Sequence, residues 1–308
     1  MITSKNLKYY FILPAFLSVV ALAAIVMWGL KPSIDLAGGS LLQVSYQSAR
    51  PTVEQVQAAI APLNFGSVLV QPAGAQAYTL RERTLSNDEK NNLEQELGTL
   101  GAVHEDEFTS VSPSIGAEIL TKGLVALGLV VVCIILFIAF VFRGVSKSIA
   151  SWKYGVVAIV TLLFDVLVPV GVFAAMGHFA GAEVDSLFIV ALLTILGISI
   201  NDKIVVFDRI RENLRLNDEH HKREEFEGVV GRSIMQTLTR SINTSLTVVI
   251  MLLALYFFGP ASTRVFALTL TVGMIVGTYS SIFFASPLLV AWEHFSARKL
   301  AGQRRSAK

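Results

Sequence analysis

The chain has 308 residues, 53% of them hydrophobic and only 16% charged, with a mean hydropathy of +0.61 and a formal net charge of +2. Soluble domains carry about 25% charged residues, so this composition excludes an ordinary soluble protein and points to a membrane class. The single cysteine, Cys133, lies inside the apolar run LVALGLVVVCIILFIAFVF, which excludes a disulfide framework and a thiolate metal cluster.

The first apolar run, about 9–30, exceeds a signal-peptide core and lacks an A-x-A cleavage site. Residues 1–30 therefore read as a short N-terminus and a retained first span. Residues 31–120 form a separate, acidic, extracytoplasmic segment with the pattern of a small α+β domain. LLQVSY alternates as a strand, and Thr52 to Gln55 is a capping box opening a helix with Val53, Val56 and Ile60 on one face. SVLVQ and AYTLR are short strands, SNDE caps a second helix bearing Leu93, Leu97 and Leu100, and VHEDEFTSV closes the domain. The order βαββαβ predicts the split-βαβ, ferredoxin-like arrangement. Before the first strand, Asp35, Gly38 and Gly39 lie in PSIDLAGGSLL; the glycines lead into a strand, so they predict a tight turn with positive φ and no phosphate site.

A bilayer core of about 30 Å requires about 20 apolar residues of helix. Beyond the first span, 121–142, 154–176, 185–207, 240–258 and 265–290 meet that length, so residues 121–298 form a bundle and 299–308 a basic tail. The last span is interrupted by Gly273, Gly277 and Pro287, tolerated where neighbours pack closely. Between the fourth and fifth spans, about 222–238, Phe226, Val229, Val230, Ile234 and Leu238 recur at helical spacing. They predict a cytoplasmic amphipathic helix, either packed on the bundle or lying on the inner leaflet. Seventeen of the 25 Lys and Arg residues fall in the N-terminus (Lys5, Lys8), the loop around Arg143 and Lys147, the segment from Arg209 to Arg240 and the tail. All four lie on one side of a six-span topology, which the positive-inside rule makes the cytoplasm, with both termini there.

Ionisable residues at membrane depth are the candidates for chemistry. Asp165 lies ~16 Å along its helix from Tyr154, near the midplane, and Asp202 lies ~25 Å from Asp185, in the cytoplasmic half. Lys203 and Arg240 accompany them. A lone Asp or Lys at the bilayer centre costs roughly 2.5 to 3.5 kcal/mol, so such residues face a partner or a water-filled path. Asp202, poised by Arg240, reads as a reversible proton carrier; Asp165 is a secondary candidate. For Lys203 the simpler reading is a stem that snorkels to the inner surface. The alternative for the whole group is a set of ion pairs that hold helices together. No His, Cys or Asp spacing suggests a metal, and no nucleophile–base pair or nucleotide loop is present, so the chain reads as a non-enzyme without cofactor or nucleic-acid partner.

Several segments resemble one family. IDLAGGSLLQV looks like the Asp-Phe-Thr-Gly-Gly signature after span one of the SecD/SecF translocase proteins, which makes Asp35, Gly38 and Gly39 signature positions. LLFDVLVPVG resembles the family's span-three segment, with Phe164 where His is usual. GISINDKIVVFDRIRENLR is similar to the span-four block of the SecF branch, which covers Asn201, Asp208, Arg209, Arg211, Glu212 and Asn213; Lys203 stands where Thr or Ser is common. The resemblance implies a resistance–nodulation–division-like half bundle completed by SecD in the bacterial cytoplasmic (inner) membrane. It implies an accessory subunit that draws on the proton motive force to finish preprotein export after SecA has pushed the chain through SecYEG, with YajC as an optional associate. Unfolded preprotein would meet the extracytoplasmic domain, and lipids the bundle. The family's span-four Asp and span-five Arg, implicated in proton passage, map to Asp202 and Arg240. The rival expectation is half of a proton-driven small-molecule or lipid exporter of the same superfamily.

Overall fold

The computed structural model describes residues 6–66, 68–141, 151–220 and 224–306, with the backbone alone for 151, 261–262 and 297–306. The chain divides into two compact units: Met1–Lys31, Val125–Ala182 and Leu187–Lys308 in one, Pro32–Leu124 and Glu183–Ser186 in the other.

The smaller unit opens with a one-turn helix, α2 (Ile34–Ala37), which follows α1 (Tyr9–Trp28) of the larger unit. Then come β1 (Gly39–Tyr46), α3 (Val53–Ile60), β2 (Leu69–Ala73), β3 (Ala77–Glu82), α4 (Asn87–Gly98) and β4 (Val103–Val111). The sheet order is β2-β3-β1-β4 with every pair antiparallel, which is the predicted βαββαβ arrangement. Alternation explains it: Leu42, Val44 and Tyr46 of β1 and Tyr78 and Leu80 of β3 share one face, which buries Val56 and Ile60 of α3 and Leu93 and Leu97 of α4. Thr52 with Gln55, and Ser86 with Glu89, form complete capping boxes that fix where both helices start. Gly38 (φ 79°) and Gly39 (φ 136°) occupy backbone regions that side chains rarely adopt. A Cβ on Gly38 would also lie 2.5 Å from the Pro113 backbone, so the turn and the close approach both demand glycine.

Among the described residues six helices are long and apolar enough to cross a membrane, and all but the first are longer than the hydropathy pattern indicates. They are α1, α5 (Pro113–Val141), α6 (Ser151–Phe179), α7 (Ser186–Glu219), α8 (Phe226–Phe258) and a last helix made of α9 (Ala261–Ser280), a π-turn (Ser281–Ala285) and α10 (Ser286–Ser306). With 34 residues α7 is ~51 Å long, well beyond a ~30 Å core. The segment expected as a separate amphipathic helix is the first half of the unbroken α8. Its Val229, Val230 and Ile234 are buried with Val206, Ile210 and Leu214 of α7, so that face packs on protein. The stripe of α7 continues past residue 207 and supplies the partner surface. Lys5, Arg143, Lys147 and Lys222 of the charge argument lie outside the described residues.

Glu82 ends β3 on the core face, 6% exposed, and neither carboxylate oxygen has a hydrogen-bond partner among the described residues. Its cross-strand neighbour Ser40 spends its hydroxyl on Ser110 and the Leu85 amide. Burial pushes the Glu82 carboxyl up to about 7, against a smaller opposing effect of the Arg83 charge. A carboxyl whose folded pKa exceeds its unfolded value binds more protons when folded. Stability of this domain should therefore fall as pH rises from about 4.5 to about 7 and stay low above that. Glu82→Gln should remove the dependence and stabilise the domain at pH 8 by roughly 1–3 kcal/mol. Hydrogen exchange of the β1 and β3 amides in the intact chain, corrected for intrinsic rates, measures this. Equal protection of wild type and variant at pH 8 would contradict it.

Candidate functional site

Two polar sites lie on neighbouring faces of α7, because adjacent residues point about 100° apart on a helix. Toward α6, the Lys203 ammonium donates to Asp165 Oδ2, and both side chains are 0% exposed. Ser199, one turn earlier, also donates to Asp165 Oδ2, and Lys203 Nζ reaches Ser199 Oγ at 2.6 Å. Lys203 thus does not snorkel to the surface. Helix geometry puts Asp165 within reach, and a buried ammonium is stable only with a partner.

Toward α8 and α9, Asp202 is partly buried and accepts two hydroxyls: Ser241 Oγ to Oδ1 at 2.5 Å, and Ser281 Oγ to Oδ2. Arg240 does not pair with it. Among the described residues Arg240 makes no ion pair, but it lines the same cavity of about 70 Å³ as Asp202, Asn201 and Ser245. A cavity that size with several polar walls has room for water. Arg240, which is exposed, and Val205 also border an open groove of about 560 Å³, lined by Asp208, Arg209 and Glu212. Polar space therefore flanks Arg240 on both sides, with Asp202 at one end and the charged extension of α7 at the other.

Close helix packing brings the hydroxyls in. A Cβ on Gly273 would meet Ile195 at 2.3 Å, and one on Gly277 would meet Ser199 Oγ at 3.0 Å. These two glycines, spaced as in small-xxx-small packing, let α9 approach α7 so that Ser281 touches Asp202. The rest of the span-four block serves as a clamp. Asn213 Nδ2 donates to Ser233 Oγ and Gln236 Oε1 of α8, both at 2.8 Å; Arg209 Nε donates to Gln236 at 2.6 Å and its Nη1 pairs with Glu212 at 2.5 Å. Arg211 faces Asp208 at 3.7 Å and donates to the Val141 carbonyl at the end of α5. Asn201 is exposed at the cavity rim. Asp35 Oδ2 accepts from the hydroxyl of Ser186 at 3.1 Å and its amide at 3.5 Å, at the start of α7. Ser199, Ser241 and Ser281 escape a reading based on charge, although the runs SINTS and TYSS inside apolar spans signal hydroxyls without solvent.

A family profile described as protein export membrane protein SecD/SecF, C-terminal, matches residues 92–294. The chain is 42% identical over 310 residues to protein translocase subunit SecF of Thermobaculum terrenum, covering 96% of this chain and 95% of that one. This chain belongs to the SecD/SecF family. It is also 31% identical to protein translocase subunit SecDF of Bacillus subtilis, with 98% of this SecD/SecF-family chain matched to 39% of the relative. The crystal structure of SecDF, a translocon-associated membrane protein from Thermus thermophilus, superposes with a TM-score of 0.76 at 32% identity, over 94% of this chain and 38% of that one. A SecDF structure in a super-membrane-facing form gives 0.63 at 30% identity, over 97% and 39%. This multi-pass SecD/SecF-family protein therefore has the resistance–nodulation–division-like membrane fold beside its small sheet domain.

In this SecD/SecF-family bundle the Asp165–Lys203 pair should act as a structural lock. Lys203→Met leaves a buried carboxylate unpaired and should cost roughly 3–5 kcal/mol of bundle stability, whereas the double variant Asp165→Asn with Lys203→Met should recover most of it. Thermal unfolding in detergent reads both. A single variant as stable as wild type would remove the lock.

Proposed function

We propose that the chain is a SecF-type accessory subunit of the Sec protein translocase that works with SecD and uses the proton motive force to complete preprotein export. Asp202 carries the reading: a carboxylate in the cytoplasmic half of span four, held by two neutral hydroxyls and facing a polar cavity shared with Arg240. A carboxylate held by hydroxyls accommodates a proton without disrupting an ion pair, whereas Asp165, already tied to Lys203, does not. Arg240 stands between this cavity and an open groove, where its charge biases proton movement and keeps other cations out.

In this reading the protein lies in the bacterial inner membrane with both termini cytoplasmic. Residues 31–120 are extracytoplasmic and meet the emerging unfolded preprotein, and 121–298 form the bundle beside SecD. SecYEG, SecA and YajC are the further partners. One proton crossing about 100 mV releases about 2.3 kcal/mol, enough to shift a two-state equilibrium roughly 50-fold.

Asp202→Asn keeps size and hydrogen bonding but fixes the neutral state. The variant should assemble with SecD while proton-driven export in vesicles falls to background and the ATP-driven stage continues. Arg240→Met should impair the same stage. Export by Asp202→Asn at the wild-type rate, at matched protein levels, would return the proton path to SecD.

A further inference from the structure

The two hydroxyls on Asp202 are not equivalent. Ser241 Oγ is directed only at Asp202 Oδ1. Ser281 Oγ has two acceptors in range, Asp202 Oδ2 and its own helix's Thr278 carbonyl at 2.9 Å. A serine carries one hydroxyl hydrogen, so it satisfies one of them at a time. Ser281 is completely buried, so water does not reach its hydroxyl.

The charge of Asp202 decides which acceptor wins. An ionised carboxylate only accepts, and it takes the Ser281 hydrogen in the stronger, charge-assisted bond. Once Asp202 binds a proton on Oδ2, that oxygen becomes a donor. The new O–H points at Ser281 Oγ, and the serine hydrogen turns to Thr278 O. The Ser241 bond to Oδ1 is the same in both states. No proton leaves Asp202 in this rearrangement; one hydrogen bond reverses and another forms.

The position of Ser281 gives the reversal a mechanical consequence. A serine hydroxyl bonded back to the carbonyl three or four residues earlier bends a helix. Ser281 opens the π-turn Ser281–Ala285, and the Ser286 hydroxyl donates to the Ser281 carbonyl at 3.3 Å. Segments of π-helix interrupt the regular ladder and recur at functional sites. Thr278, the second acceptor's residue, is also bound through its own hydroxyl to Ser245 of α8 at 2.5 Å, so movement there reaches span five.

We propose that Ser281 is the positioning residue that turns the charge of Asp202 into a change of bend in the last span, by donating to Asp202 when it is ionised and to the Thr278 carbonyl when it is neutral. The link to export rests on the function proposed above; the bend does not. The test uses the full chain assembled with SecD in lipid, with Cys133→Ser and spin labels at the exposed positions 275 and 295, on either side of the π-turn. The label distance and the infrared carboxylic-acid band that Asp202→Asn abolishes are followed from alkaline to acid pH. The expected result is a pH-dependent distance in wild type, its loss in Ser281→Ala while the carboxylic band still appears, and its return in Ser281→Thr. Export should fall in Ser281→Ala to the level of Asp202→Asn. A distance that responds to pH equally in wild type and Ser281→Ala overturns the proposal, as does a wild-type distance that ignores pH. A distance change that persists in Asp202→Asn also overturns the proposal. Wild-type export by Asp202→Asn, with the distance change present in wild type and lost in that variant, would instead sink the proton-carrier role and leave the Ser281 switch standing.

Discussion

A charge inside a helix bundle surrounded by hydrocarbon has to be paired, hydrogen-bonded or met by water, and α7 carries three ionisable or amide groups in succession, Asn201, Asp202 and Lys203. The helix resolves this by sending them in different directions. Lys203 is neutralised by Asp165 in a fully buried site against α6, and Asp202 is met by hydroxyls in a polar cavity against α8 and the last helix. Ser199 belongs to both, bonded to Asp165 on one side and lining the cavity on the other. The packing of the four central helices follows from serving these two sites from one helix.

The two sites suit different work because of how each carboxylate is held. A buried ion pair loses strength abruptly when either partner is neutralised, which makes it a poor carrier and a strong brace. Hydroxyls both donate and accept, so a carboxylate between them can change charge while keeping its contacts. The glycine spacing of α9 matters to the second site, since larger residues at 273 or 277 would push Ser281 away from Asp202.

The charged half of the span-four block does a separate job. Past residue 207, α7 and the first half of α8 form a helical pair with a buried apolar seam, closed over by Asn213, Arg209 and Gln236. That seam fixes the register of α8, and so sets where Arg240 and Ser241 stand relative to Asp202. The small domain is organised by other means, with capping boxes, strand alternation and the Gly38–Gly39 turn, and the buried Glu82 carboxyl has no hydrogen-bond partner among the described residues.

Periodicity and capping are local properties, and through them the sequence by itself determined the six apolar helices, the βαββαβ order and even the residues that start α3 and α4. The span-four block pointed to the family, and the cost of burying charge pointed to Asp165, Asp202, Lys203 and Arg240. Tertiary structure alone decided who meets whom. A Lys stem long enough to snorkel is also long enough to reach Asp165, and only the packing of α6 on α7 chooses between them. Arg240 is one residue from Ser241, yet the rotation of α8 gives the serine, not the arginine, to Asp202. The continuity of α8 was hidden for a similar reason: charge ends an apolar pattern but does not end a helix when α7 extends beside it to bury the next turns. The partners of Asp202 come from two other helices far from it in sequence, and no spacing along the chain encodes that meeting.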